Sequence, residues 1–89
     1  MKKFSVEYDD KAKKKLEKID APVRKRIRNW IEKNLEGCEN PRLRGKPLEG
    51  VLKDYWRYRV GNYRLVADIQ DDKIIILIVN VDKRNDIYK

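Results

Sequence analysis

YWRYRVGNYRLVADIQ, residues 55–70, carries a hydrophobic period of two that a helix does not produce. Trp56, Tyr58 and Val60 alternate with Tyr55, Arg57 and Arg59; after the turn at Gly61-Asn62, Tyr63, Leu65, Ala67 and Ile69 alternate with Arg64, Val66, Asp68 and Gln70. This is the pattern of a β-hairpin with one apolar face. If Trp56, Tyr58, Leu65 and Ala67 turn toward a core, Arg57, Arg59 and Arg64 emerge together on the opposite face, because successive strand side chains point to opposite sides. Three guanidinium groups crowded on one hairpin lack an obvious internal counter-ion, and an external phosphate backbone accounts for them better. Arg59 has a second reading, as the partner of Asp68 across the hairpin.

Downstream, Asp71-Asp72 breaks the run, and Ile74 to Val81 reads as a third strand, apolar on both faces as a central strand is. Lys83, Arg84 and Tyr88 follow it, in position to close the basic surface. Upstream, Pro41, Gly45, Pro47 and Gly50 make the segment from Asn40 to Gly50 an ordered but irregular connection. Before it, Val23, Ile27, Trp30, Ile31 and Leu35 form the stripe of a long helix that starts at Asp20-Ala21-Pro22 and ends before Gly37. Ala12, Leu16 and Ile19 form the stripe of a shorter helix of about three turns, capped by Asp9 or Asp10. A tight connection near Asp20 makes the two helices an antiparallel pair. Phe4, Val6 and Tyr8 make a short leading strand. The order is β-α-α-β-β-β, an α+β fold with two N-terminal helices packed on a small, mainly antiparallel sheet.

Eighty-nine residues are too few for two independent cores, so residues 1–89 are expected to form one domain. A hydrophobic fraction of 40% in periodic runs is too high for a disordered basic tail. The longest apolar run, Ile74 to Val79, falls far short of the roughly 20 residues a membrane helix needs, and Glu7 interrupts the only apolar stretch that could serve as a secretory leader. The single Cys38 excludes an internal disulfide and looks inert; a reducing cytoplasm is the expected location. With no histidine, the usual soft ligands for zinc are lacking. Asp10 reads as a cap and Asp71-Asp72 as a turn, so neither these nor Asp68 suggests a metal site, and no cofactor is expected. Gly45, Gly50 and Gly61 lie too far apart for one phosphate loop. Trp30 and Trp56 read as core.

The 23 Lys and Arg outnumber the 15 Asp and Glu, for a net charge of +8 that favours an anionic partner without choosing one. Residues 1–46 hold 15 basic and 8 acidic side chains and residues 47–89 hold 8 and 7, so most of the excess lies ahead of the hairpin. There, Lys11, Lys14 and Lys18 on the first helix and Arg44 in the loop are candidate contacts for such a partner, with a solvated surface as the alternative.

Four segments in this order resemble the RelE/ParE toxin superfamily: Leu43-Arg44-Gly45, the strand Tyr55 to Arg59, the hairpin Gly61-Asn62-Tyr63-Arg64-Leu65-Val66, and the terminal Val81-Asp82-Lys83-Arg84-Asn85-Asp86-Ile87-Tyr88. The resemblance covers almost the whole chain and leans toward the messenger-RNA-cleaving RelE branch rather than the gyrase-directed ParE branch. It implies a type II toxin that enters the ribosomal acceptor site and cuts messenger RNA without metal, the transcript's own 2′-hydroxyl attacking the adjacent phosphate. It implies as partners a cognate antitoxin, the ribosome with bound messenger RNA, and operator DNA through the antitoxin complex, with no membrane. Alternatives are a ParE-like gyrase inhibitor and a catalytically inactive nucleic-acid-binding member.

Carried over by this resemblance, Arg57 matches a basic position of the first hairpin strand, Arg64 the arginine after the turn, Arg84 the arginine of the terminal motif and Tyr88 its late tyrosine. Lys83 stands where many relatives have histidine, and Tyr55 where the best-characterised RelE enzyme has lysine. Arginine suits phosphate binding, which assigns Arg64 and Arg84 to the phosphoryl oxygens with Arg57 in support and Arg59 as a further RNA contact. Arginine is a poor proton shuttle, which leaves Lys83 or Tyr88 for proton transfer, Tyr88 also offering a ring for base stacking. The apolar strands Tyr63 to Val66 and Ile74 to Val81 are candidate surfaces for an antitoxin segment.

Overall fold

The computed structural model describes residues 2–48, 50 and 54–83. β1 (Ser5–Tyr8) leads into α1 (Asp10–Glu17), and of the two candidate caps it is Asp9 that acts, its Oδ1 accepting from the Ala12 N–H at 2.8 Å. The helix is one turn shorter than its apolar stripe suggests. Ile19 falls in the connection but still packs on the core, while the Arg24 guanidinium donates to the carbonyls of Glu17 and Ile19 at 3.2 and 3.1 Å and satisfies the orphan acceptors of the helix end. α2 (Ala21–Asn34) starts with Pro22 in its first turn, and Asp20 precedes it without a side-chain capping bond. Ile27, Ile31 and the C-capping Leu35 are buried.

Beyond α2, Gly37 adopts φ +78° and turns the chain back along the outer edge of β1. The Gly37 N–H donates to the Phe4 carbonyl, the Phe4 N–H to the Cys38 carbonyl, and the Val6 N–H to the Glu36 carboxylate at 2.7 Å. The edge strand is thereby occupied by its own chain.

The rest of the sheet is β2 (Lys46–Pro47), β3 (Trp56–Val60), β4 (Tyr63–Gln70) and β5 (Ile75–Lys83), in the spatial order β1-β5-β4-β3-β2. β1 runs parallel to β5 and the other pairs are antiparallel. Two points differ from the sequence reading. The irregular connection contains a two-residue strand, β2, and the middle place belongs to β4 rather than to the apolar β5, because β1 returns on the far side of β5 and β2 adds outside β3. β5 is still flanked on both edges, which fits its apolar faces.

The helix-facing residues form one core. Tyr58, Leu65, Ala67, Ile76 and Ile78 of the sheet are fully buried with Ala12, Leu16, Ile27 and Ile31 of the helices. Trp30 and Trp56 are half-buried against it, the Trp30 ring lying 5.8 Å from that of Tyr58 at 55°. Among the described residues, no helix is long and apolar enough to cross a membrane.

The pairing of β5 with β4 contains one irregularity. Ala67 pairs with Ile78 but Val66 pairs with Asn80, so Val79 is an extra residue opposite no partner, a β-bulge. Strict alternation from Ile76 and Ile78 would send Asn80 and Asp82 into the core. The bulge reverses the phase, so that Val81 is buried opposite Leu65 and Asn80 and Asp82 face the open side.

Candidate nucleic-acid interface

The sheet face turned away from the helices is basic, and its composition follows from register. Residues directly opposite one another share a face, so Lys46, Arg57, Val66 and Asn80 make one row across four strands, and Arg59, Arg64 and Asp82 the next. Four cations, Lys46, Arg57, Arg59 and Arg64, therefore stand together over a floor that includes the buried Val66. The register does not allow the alternative pairing of Arg59 with Asp68. Arg59 lies directly opposite Arg64, while Asp68 sits opposite Leu77 and accepts from the Gln70 amide at 3.0 Å.

Two arginines opposite one another repel unless an anion lies between them. Arg64 has the more unusual environment: its Nε is buried and has no acceptor among the described residues. The carboxylate across the strand pair from it, Asp82, is engaged elsewhere, its Oδ1 accepting from Lys15 Nζ at 2.7 Å and its Oδ2 from the Asn80 amide. A buried donor of a permanently charged group left without an acceptor is costly, and a phosphate oxygen is the acceptor its chemistry suits.

The loop before β2 is clamped to the other face of β3. The Tyr58 hydroxyl donates to the Pro41 carbonyl, Trp56 Nε1 donates to the Arg44 carbonyl at 2.6 Å, and the Arg42 guanidinium grips Asp71 with bonds of 3.0 and 2.8 Å. Gly45 completes the fit. With φ +78°, a Cβ there would lie 2.1 Å from the Arg57 carbonyl oxygen, so only glycine lets β2 approach β3 and bring Lys46 beside Arg57. Burial pushes the Tyr58 hydroxyl well above its ordinary range, and Arg42 holds the Asp71 carboxyl below its own. The Cys38 thiol is pushed up by burial, which disfavours the reactive thiolate.

The candidate residues fall into three places. Arg57, Arg59 and Arg64 share the open face, as alternation predicts. Lys83 does not join them. It lies opposite Tyr63, and after the bulge its side of β5 is the helix side, where with Lys15, Lys18, Arg26, Tyr63 and Val81 it lines a cavity of about 540 Å³ that Asp82 also borders, within reach of Lys15. Lys11 and Lys14 are exposed on α1, Lys18 caps its C-terminus, and Arg44 is exposed in the clamped loop. Arg84 and Tyr88 lie outside the described residues. Lys46 escaped sequence reasoning because it sits among Gly and Pro with no periodicity; only pairing reveals its face. Among the described residues, no three His, Cys, Asp or Glu side chains gather as metal ligands would.

The sequence and fold have counterparts among known proteins. The sequence model of the ParE toxins of type II toxin–antitoxin systems matches residues 6–88. Over 82 residues, 91% of this chain and 83% of the other, the sequence is 29% identical to the mRNA interferase toxin RelE of Escherichia coli K12. In three dimensions it superposes with a TM-score of 0.82 on a chain of the toxin–antitoxin complex RelBE2 from Mycobacterium tuberculosis, at 26% identity and 94% coverage of both chains. The isolated Escherichia coli RelE toxin superposes with a TM-score of 0.72, at 26% identity over 90% of this chain and 83% of that one.

Proposed function

The chain belongs to the RelE/ParE superfamily of type II toxins, with close matches in the RelE branch, and from that premise we propose that it is a ribosome-dependent endoribonuclease that cuts messenger RNA at the acceptor site. The observation that supports this reading is the pairing of Arg59 against Arg64 with the buried Arg64 Nε lacking an acceptor among the described residues. A face of this kind is built for an anion, and the scissile phosphate of a single strand is one.

The reaction needs three things of the protein. As the transcript's 2′-oxygen bonds to the adjacent phosphorus and the bond to the 5′-oxygen breaks, charge rises on the non-bridging oxygens. Arg64 holds these, with Arg57 beside it and Arg84 as a further donor; fixed guanidinium groups in place before charge develops are the effective form of this stabilisation. The 2′-hydroxyl must lose a proton and the leaving 5′-oxygen must gain one, giving a 2′,3′-cyclic phosphate and a free 5′-hydroxyl. Tyr88 is the group assigned to proton transfer, with base stacking as its second role; Lys83, on the helix side of β5, is the less economical choice. No metal enters this scheme. Arg59 and Lys46 bind the flanking strand, while Arg44 with Lys11, Lys14 and Lys18 reaches ribosomal RNA.

The RelBE2 complex, in which a related fold is bound to its antitoxin, supports a cognate antitoxin as partner; operator DNA enters this reading only through such a complex, as the family resemblance implies. A second reading is kept alive by the matching family description, that of ParE toxins: inhibition of gyrase. The test is primer-extension mapping of a translated transcript in a purified translation system, comparing wild type with the Arg57→Ala/Arg64→Ala double variant, with and without ribosomes. Cuts within the acceptor-site codon that need ribosomes and vanish in the variant support the nuclease. Intact transcripts with folded wild-type protein refute it, and gyrase supercoiling is then the assay to run.

A further inference from the structure

Arg64 is flanked in its row by a like charge on one side and a carboxylate on the other, Arg59 on β3 and Asp82 on β5. An arginine directly opposite an aspartate on adjacent antiparallel strands is an ordinary cross-strand ion pair, within easy reach of both side chains. That pair is not made. Asp82 gives Oδ1 to Lys15 and Oδ2 to Asn80, and Arg64 is left with its buried Nε unsatisfied among the described residues.

Lys15 comes from a different part of the chain. It lies on the flank of α1, next to the buried Leu16, and reaches Asp82 across 67 positions of sequence. It is only partly exposed, at 37%, whereas its neighbours Lys11, Lys13, Lys14 and Lys18 are exposed outright. The bulge at Val79 matters here too, because it is what turns both Asn80 and Asp82 onto the open face.

We propose that Lys15 is a positioning residue for the anion site: by occupying Asp82, together with Asn80, it keeps Asp82 from neutralising Arg64 and so leaves Arg64 available to a phosphate of single-stranded RNA. This rests on the nuclease reading above and deepens it. Asp82 is the natural competitor of the substrate phosphate, and α1 is the element that holds the competitor aside. Without Lys15, Asp82 is released to the cation directly across the strand pair from it, Arg64, and the substrate must displace an internal carboxylate before it binds.

The experiment is a double-mutant cycle with Lys15→Met, which keeps the apolar stem and helix propensity, and Asp82→Asn, which keeps the shape but not the charge. Two readouts are taken: binding of a short single-stranded RNA, and the Arg64 Nε–H resonance by NMR. Lys15→Met is expected to weaken RNA binding about fivefold, the scale of a cross-strand pair. Asp82→Asn added to it restores binding to the wild-type level or better, while Asp82→Asn in the wild-type background improves binding less than about twofold, since there the carboxylate is already occupied. Lys15→Arg, which preserves the pair, stays near wild type. The Arg64 Nε–H resonance shifts in Lys15→Met and returns in the double variant.

Either single variant breaks the Lys15–Asp82 pair, so a purely structural role would move RNA binding in the same direction in both. Direct contact of Lys15 with RNA would give Asp82→Asn the same factor in both backgrounds. Either result, or an Nε–H resonance that Lys15→Met leaves in place, overturns the proposal. If Lys15→Met shifts the resonance but the wild-type protein neither binds nor cuts RNA, the nuclease reading falls and only the ion-pair exchange stands.

Discussion

Removing the positive charge of Arg64 while keeping its stem tests the basic face most directly, and Arg64→Gln does this with the floor over Val66 still covered. Among the described residues, four cations stand on the open face, Lys46, Arg57, Arg59 and Arg64. If each neutralises one phosphate of a single strand, the logarithm of affinity falls with the logarithm of salt with a slope of about −2.8, at about −0.7 per contact. Raising salt from about 50 to about 200 mM then weakens wild-type binding about 50-fold, and the variant, with a slope of about −2.1, only about 20-fold. Fluorescence anisotropy of a short labelled RNA across that salt range measures both slopes. Lys25→Gln is the control, since Lys25 is exposed on α2 and lines a depression with Glu17, Ala21 and Arg28 rather than the sheet face. If Arg64→Gln keeps the wild-type slope, or Lys25→Gln lowers it as much, the phosphates lie elsewhere and the reasoning fails.

Three further outcomes follow from the loop clamp and the helix cap. Gly45→Ala sets a methyl against the Arg57 carbonyl at a positive φ, so it is expected to lower unfolding free energy by about 3 kcal/mol in urea titration and to displace Lys46 from the face. Tyr58→Phe leaves the Pro41 carbonyl without its donor and costs about 1–2 kcal/mol, readable as a fall of roughly 4–16 °C in Tm. Because burial raises the folded-state ionisation of Tyr58 above the ordinary value of 10.0, its contribution is fully present below that pH and lost as pH rises beyond it. The loss of stability above pH 10 should accordingly be shallower in Tyr58→Phe, and an unchanged profile would argue against this tyrosine as its source. Asp9→Ala removes the bond to the Ala12 amide and is expected to cost about 1 kcal/mol, whereas Asp10→Ala, one residue inside the helix, should cost measurably less.

What could be read from the residues alone is what local covalent geometry dictates. Side chains alternate along any extended strand, so the placement of Arg57, Arg59 and Arg64 opposite the Tyr58, Leu65 and Ala67 core needs no knowledge of neighbours. The helices follow from their apolar stripes in the same way, and their ends from Asp9 and Gly37. The resemblance to a toxin family rested on the same local strings, the terminal one extending past the described residues.

The remainder depends on which strand lies beside which. Val79 bulges only because β5 must match β4, and that one extra residue turns Lys83 to the helix side while bringing Asn80 and Asp82 to the basic face. Arg59 meets Arg64 rather than Asp68 because the Gly61-Asn62 turn sets the register. Lys46 counts as part of the site only once β2 pairs with β3. The partner that Asp82 takes is the furthest from local reach: nothing near it in sequence announces Lys15, because a counter-ion is chosen by distance in space, and that distance exists only once α1 has packed against β5.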